Sequence, residues 1–466
     1  MLELKGRKVL VLGLGDTGMS MARWLKRQGA IVSVADTRAD PPHARELSRE
    51  LPEAAFECGE FRDASLRKTD LIAISPGVDR RTPAVAAAIR RGVPVVGDIE
   101  FFARGLAQLL ARRAPRPAPR ILGITGTNGK STVTRMAGDI CAAAGLDTRV
   151  AGNIGTPALD VLTAIENGGA APGAFVLELS SFQLESLSSL NADAATMLNL
   201  SPDHLDRYDG IDAYAAAKAR VFNGNGAQVL NRDDARSGAM ALPGRTVYRF
   251  GLEAPRGGNE WGLVQREHQA WLARGDRTLM PADELPVTGM HNAANALAAG
   301  ALCHAIGIAD APITAALRAF RGLPHRVERV AVINGITFFD DSKGTNVGST
   351  IAALNGFSRP VVLIAGGDGK GQDFGPLRAP VTRHARAVVL IGRDRERIAL
   401  ALDGCGVPLE RADDMEQAVR KALAVCREGD AVLLSPACAS LDMFRDYVNR
   451  GEVFAAAVHA LPRGKE

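Results

Sequence analysis

Short apolar runs alternate with stretches of helical period along most of the chain, and no other feature restricts the possible folds as strongly. The runs at 8–12, 31–34 and 71–74 read as buried strands, and the stretch from Met19 to Gln28 reads as a helix between two of them. A strand, a helix and a second strand in succession close a right-handed crossover, so the expected product is a parallel sheet with helices on its faces. The alternation returns at 175–179 and 195–200, and again at 361–365, 387–391 and 431–434.

At 466 residues the chain exceeds one ordinary core, and at about 100 to 200 residues per domain it suggests three. The best linker candidate is 111–120, where three prolines and four arginines crowd out helix and central strand alike. A second boundary is expected at Leu323-Pro324-His325. Between the two, 246–279 reads as short strands around Gly and Pro turns, an antiparallel patch on an α/β frame. The expectation is therefore an α/β chain of three domains: 1–117, Rossmann-like; 118–322, a P-loop ATPase-like parallel sheet with a small antiparallel sheet added; and 323–466, Rossmann-like, of the dinucleotide-binding type.

With 56 basic and 52 acidic residues spread along the chain, no basic arm marks a nucleic-acid partner. Six cysteines without a C-x-x-C pair suit free thiols in a reducing compartment. The opening residues enter a strand pattern at once, and no apolar run approaches the ~18 residues that span a bilayer. A cytoplasmic protein without membrane insertion is expected, with a monomer as the working unit.

One segment carries chemistry by itself. Residues 121–132, ILGITGTNGKST, place glycines, a lysine and two hydroxyls between a strand and a helix, the arrangement that cradles phosphate. Gly126, Thr127, Asn128 and Gly129 supply approachable backbone N–H groups. Lys130 brings a cation to the terminal phosphates, Ser131 can hold magnesium, and Thr132 adds a second hydroxyl. The spacing departs from the strict G-x-x-x-x-G-K-[ST] form, because Ile124 stands where its first glycine would be. Phosphoryl transfer also needs acidic groups at strand ends, and Glu178 ends such a run. His204, in SPDHLDRY, follows another run; by position alone it is either a metal-side ligand or a structural histidine.

The N-terminal Gly13-Leu-Gly-Asp-Thr-Gly18 satisfies G-x-G-x-x-G after a strand, and Asp36 ends the next strand. Taken alone this is an NAD fingerprint, and Arg38 beside it would favour NADP. An NAD-linked oxidoreductase is thus one rival reading, and a phosphate-loop switch or motor is another.

Taken in order, TGTNGKST, AGNIG, LELSSFQLE, SPDHLDRY, GMHNAANALAA, PHRVE and DDSKGTN resemble the Mur ligases over nearly the whole chain. DDSKGTN, GGDGKG and LSPACASL resemble the D-glutamate-adding branch, and the D-N-P-R string of the diaminopimelate-adding branch is missing. The resemblance implies an ATP-dependent ligase that joins D-glutamate to UDP-N-acetylmuramoyl-L-alanine through an acyl phosphate, a step of peptidoglycan precursor synthesis, with ATP and Mg2+ as cofactors. It implies catalytic or metal-holding roles for Lys130, Ser131, Glu178, His204 and Lys218, the last as a carbamate. From sequence alone Lys218 is an ordinary helix-surface lysine. Asn292 and Asn295 resemble adenine contacts, though helix capping suits them equally. Arg326 and Asp341 resemble groups that reach ATP from the third domain. Asp16, Thr17, Asp36, Thr37, Arg38, Ser75 and Gly77, with Asn153 from the central domain, match the UDP-substrate pocket. Lys343, Thr345, Lys370, Ser440, Leu441 and Tyr447 match the surroundings of D-glutamate, with Tyr447 standing where phenylalanine is expected.

Overall fold

The computed structural model describes residues 3–112, 118–287 and 289–462. Three sheets follow one another along the chain. The first holds β1 (Lys8–Leu12), β2 (Ile31–Asp36), β3 (Ala55–Cys58), β4 (Leu71–Ile74) and β5 (Val95–Gly97), in the order β3-β2-β1-β4-β5. All of its pairings are parallel, as the crossover rule requires. Strands such as β4 are buried along their full length because helices cover both faces, which explains continuous apolar runs in place of alternation.

The central sheet contains β6 (Arg120–Thr125), β7 (Thr148–Gly152), β8 (Ala174–Glu178), β9 (Ala194–Met197), β10 (Ala227–Asn231), β11 (Val247–Phe250), β12 (Glu260–Arg266), β13 (Gln269–Arg274) and β14 (Arg277–Pro281). Their order is β14-β13-β12-β11-β10-β9-β6-β8-β7. The antiparallel patch is present in β12 to β14, but it is not a separate sheet. β12 pairs parallel with β11 through Arg249 to Glu260 and Phe250 to Trp261, so the hairpins extend the parallel sheet and cover its open edge.

The third sheet holds β15 (Glu328–Ile333), β16 (Ile336–Asp340), β17 (Val361–Gly366), β18 (Ala385–Ile391), β19 (Leu409–Arg411) and β20 (Ala431–Leu434), in the order β15-β16-β20-β17-β18-β19. It is mixed, where a wholly parallel sheet was expected. β15 and β16 form an antiparallel hairpin across Asn334 and Gly335, both with positive φ, the two-residue turn whose twist matches paired strands.

The expected linker at 111–120 is shorter than its composition suggested: Ala111 and Arg112 still belong to the helix Asp98–Arg112, Arg120 already opens β6, and 113–117 lie outside the described residues. On either side the first and central sheets share one apolar core. Phe102 on that helix meets Phe175 of β8 edge to face at 5.2 Å, in a cluster that runs from Leu4 to Leu230. The third sheet has two clusters of its own. No helix among the described residues is long and apolar enough to cross a membrane.

Candidate active site

The loop after β6 requires both of its glycines. Gly129 has φ 82°, and a Cβ there would stand 2.5 Å from Asn295 Oδ1; Gly126 has φ 155°, and a Cβ would stand 2.9 Å from that of Leu198. The loop is tied to the segment after β9: Thr127 N–H donates to Asn199 O (2.9 Å), and Asn128 N–H to Asn199 Oδ1 (2.8 Å). Lys130 opens the helix Lys130–Ala143, and its ammonium folds back onto the carbonyls of Gly126 (3.0 Å) and Thr127 (2.8 Å). Lys218 Nζ donates to the same Gly126 carbonyl at 2.7 Å. Far from being a surface residue, Lys218 is 1% exposed, and burial, reinforced by the Lys130 charge, pushes its ammonium far below the usual lysine range.

Glu178 ends β8 beside this loop. Its Oε1 accepts from Asn153 Nδ2 (2.7 Å), and its buried Oε2 has no partner. His204, at φ 54°, packs edge to face on Phe182 (4.8 Å). Burial pushes its imidazole down to about 4, helped by Lys370, Lys130 and Lys218 against the pull of Asp203, so it is neutral near pH 7 and keeps a lone pair for a cation. The buried Ser131 hydroxyl accepts from Arg326 Nη2 at 3.4 Å.

A cleft of about 330 Å³ runs away from the loop, lined by Asn128, Gly129, Thr132, Asn292, Asn295, Arg326 and Asp341 among others. The helix Met290–Ala305 follows Gly289, and Asn292 and Asn295 in its first turns bond each other at 3.3 Å on the cleft wall. Arg326 sits between two residues of left-handed backbone, His325 (φ 60°) and Val327 (φ 51°), and its Nε is buried without a partner. Burial pushes Asp341 up to about 7 even as Ser435 Oγ donates to it at 2.7 Å.

A second pocket, of about 500 Å³, opens over the C-terminal ends of β1, β2 and β4. Asp16, Thr17, Asp36, Thr37, Arg38, Ser75 and Gly77 line it, and Asn153 reaches it from the central sheet. Gly18 makes the β1 turn possible, since a Cβ there would fall 1.8 Å from Gly13 O. Asp36 has no oxygen to spare: Leu14 N–H donates at 2.6 Å, while Arg38 donates from Nε (2.9 Å) and Nη2 (2.6 Å). Although burial opposes it, this clamp holds the Asp36 carboxyl down to about 2. An acid so engaged cannot also take both hydroxyls of an adenosine ribose, the contact an NAD site needs.

The third sheet contributes Lys343, whose ammonium lies 4.9 Å over the Tyr447 ring and is pushed down to about 8 by burial, with Arg326 adding. Thr345 follows one turn on, its N–H on Lys343 O (3.0 Å). The Lys370 and Ser440 loops are joined by paired bonds between Asp368 and Ala439. Lys370 itself crosses to the central domain, with Nζ 2.8 Å from Asp203 Oδ1. Leu441 stands apart, 72% exposed. Two residues that the sequence reading did not single out stand at the crossing. Asn346 Nδ2 donates to Asn128 Oδ1 (3.1 Å) and to Asp203 Oδ2 (3.2 Å), linking the third sheet to the phosphate loop. The signal was present in DDSKGTN and SPDHLDRY, the strings that contain them.

A phosphate loop opening onto a separate nucleotide-type pocket, with lysines brought in from a third sheet, defines an ATP-dependent ligase. Residues 7–97 match the Mur ligase MurD-like N-terminal domain, 124–303 the Mur ligase middle domain, and 325–438 the Mur ligase glutamate ligase domain. The chain belongs to the Mur ligase family. It is 58% identical over 463 residues to the UDP-N-acetylmuramoylalanine--D-glutamate ligase of Methylobacillus flagellatus, covering 99% of both chains. To the ligase of the same name from Nitrosospira multiformis it is 55% identical over 462 residues, 99% of this chain and 97% of that one. Among solved structures, the UDP-N-acetylmuramate-alanine ligase of Thermotoga maritima shares the fold with a TM-score of 0.61 at 18% identity, over 97% of this chain and 99% of that one.

Proposed function

We propose that the chain joins D-glutamate to UDP-N-acetylmuramoyl-L-alanine at the expense of ATP, and that residues 1–117, 118–322 and 323–466 each bring one substrate. The observation that carries this reading is the hydrogen bond from Asn153, which lines the nucleotide-sugar pocket, to Glu178, which ends β8 beside the phosphate loop, because it puts the two sites on either side of one contact. The UDP group lies over Gly13–Gly18 with Arg38 and Ser75, ATP lies along the cleft with its base at Asn292 and Asn295, and D-glutamate meets Lys343, Thr345, Lys370 and Ser440.

A carboxylate does not accept an amine at neutral pH, so it first takes the terminal phosphoryl group of ATP and becomes a mixed anhydride. The amine of D-glutamate then attacks that carbonyl, the tetrahedral adduct expels phosphate, and the amide remains. Lys130 and Arg326 hold the phosphoryl oxygens while charge moves, and Lys343 faces the incoming diacid. The unpartnered Glu178 oxygen, the neutral His204 imidazole and the Ser131 hydroxyl suit a divalent cation. Magnesium held there would screen the phosphates and polarise the transferred group. Lys218, whose burial favours the uncharged amine, can add CO2 with loss of a proton, and the carbamate gives the site an oxygen ligand or an orienting anion.

All these groups come from one chain, so the working unit is a monomer. ATP and a nucleotide-linked sugar place the reaction in the cytoplasm. Phosphate release should require UDP-N-acetylmuramoyl-L-alanine and D-glutamate together. Rapid ATP hydrolysis without them would favour a switch or motor, and NAD binding in place of the UDP substrate would favour a dehydrogenase.

A further inference from the structure

The first turn of the helix Asp98–Arg112 meets the central segment 183–189 along a tight seam. Gly97 has no room for a side chain, since a Cβ there would lie 2.3 Å from Ser186 Oγ. Glu100 is fully used by this seam and accepts from the N–H groups of Ser188 (2.8 Å) and Ser189 (2.9 Å). Asp98 differs. It is 4% exposed, its Oδ2 accepts from Gln183 Nε2 at 2.9 Å, and its Oδ1 is buried with no partner. Burial pushes this acid up to about 6, so it is still mostly ionised at neutral pH.

Gln183 lines the nucleotide-sugar pocket beside Asn153. Its Oε1 is taken by the N–H (3.1 Å) and hydroxyl (3.3 Å) of Ser180, and one N–H goes to Asp98. What remains of the amide is a single N–H donor. Asn153 is held in a parallel way: its Nδ2 is on a buried carboxylate, Glu178, whose other oxygen is also unpartnered. The orphaned oxygen of Glu178 faces a site where a cation suits the donor set. The Asp98 charge is steadied by the backbone N–H groups of Ile99 and Asp98 in the first turn of its helix, and Gln183 is its side-chain partner across the seam.

We propose that Asp98 is a positioning residue that, together with the Ser180 N–H, holds the Gln183 amide in one orientation, so that the pocket wall offers an N–H to an acceptor oxygen on the sugar-peptide part of the bound nucleotide. The inference rests on reading this pocket as the UDP-N-acetylmuramoyl-L-alanine site. The sugar-peptide part is indicated because Gln183 and Asn153 come from the central domain, on the side where Asn153 touches Glu178, whereas Asp36 and Arg38 stand at the first sheet. With asparagine at 98 an acceptor oxygen is kept at nearly unchanged volume, and the Ser180 N–H still holds Gln183 Oε1, so the amide stays in place. With leucine the acceptor is gone.

Calorimetry on the full chain with UDP-N-acetylmuramoyl-L-alanine, and separately with UDP, tests this. Asp98→Asn, which keeps an acceptor, should bind both ligands near parental strength, and Asp98→Leu should bind the whole nucleotide sugar about tenfold more weakly and UDP as the parent does. The KM for the nucleotide sugar should rise by the same factor, with the KM for ATP and kcat near parental values. Gln183→Ala should show the same loss, and Asp98→Leu added to it should cost nothing further. Parental binding of both ligands by Asp98→Leu, an equal loss for UDP, or additive losses would each overturn the inference while leaving the proposed function standing. A parent chain that binds UDP but not the nucleotide sugar would bring down both.

Discussion

With two lysine ammoniums on one carbonyl oxygen and almost no solvent, the Gly126 site cannot hold both charges without cost, and Lys218 is the one pushed furthest toward the free amine. That free amine is the form that takes up CO2. Lys218→Ala should lower phosphate release on the order of 10²-fold, by analogy with lost metal-orienting groups, and short carboxylates such as acetate should restore part of it. A variant as fast as the parent would remove the modified lysine from the mechanism. Lys130→Ala removes a cation from the transferred phosphoryl group and should cost on the order of 10³-fold in kcat. Lys343 yields a pH prediction. Burial favours its neutral form and sets its proton loss at about 8, so its charge is present below that pH and fades above it. The KM for D-glutamate should therefore climb as pH rises through 8. Lys343→Arg should stay flat to pH ~9, since a guanidinium does not titrate there. A parallel climb in both enzymes would assign the effect to another group.

At the scale of elements, the phosphate loop is a strand-to-helix turn with no tolerance for side chains. Gly129→Ala places a Cβ against Asn295 Oδ1 in left-handed backbone, so it should disturb the loop and the base-side wall together. The KM for ATP should rise at least ~10-fold while affinity for the UDP substrate stays put, and steady-state kinetics with each substrate varied would show it. Strands buried on both faces, such as β4, β8, β17 and β20, were legible in the sequence because burial writes a continuous apolar run. The β15–β16 hairpin was legible in principle through Asn334-Gly335 but was hidden by the parallel pattern around it. The pairing of β11 with β12 was not legible, because which edge a hairpin joins depends on a sheet assembled from strands far apart in sequence. The site divides in the same way. The loop at 121–132 declares its chemistry locally, and the resemblance of the other strings located most of the pocket walls. Asn128, Asp203 and Asn346 meet from three distant stretches, and the Asp98–Gln183 contact spans two domains, so neither follows from local pattern.

Across the whole molecule, the first and central domains are welded by a common apolar core, while the third meets them through polar contacts at the mouth of the cleft. Polar seams open more readily than apolar cores, and on the proposed reading it is the third domain that carries Arg326, Lys343 and Lys370 to the substrates. Asn346→Ala removes the bonds to Asn128 and Asp203. It should raise the KM for ATP and D-glutamate several-fold while leaving calorimetric affinity for the UDP substrate unchanged; a loss confined to the UDP substrate would contradict this division of labour. The central claim is that an acid, a triphosphate and one particular diacid amine are brought together before any bond changes. Phosphate release measured with ATP, UDP-N-acetylmuramoyl-L-alanine and, in turn, D-glutamate, L-glutamate, L-lysine and meso-diaminopimelate tests it most directly. Turnover with D-glutamate alone is the predicted result, and equal rates with L-glutamate, or release with no amine present, would contradict it.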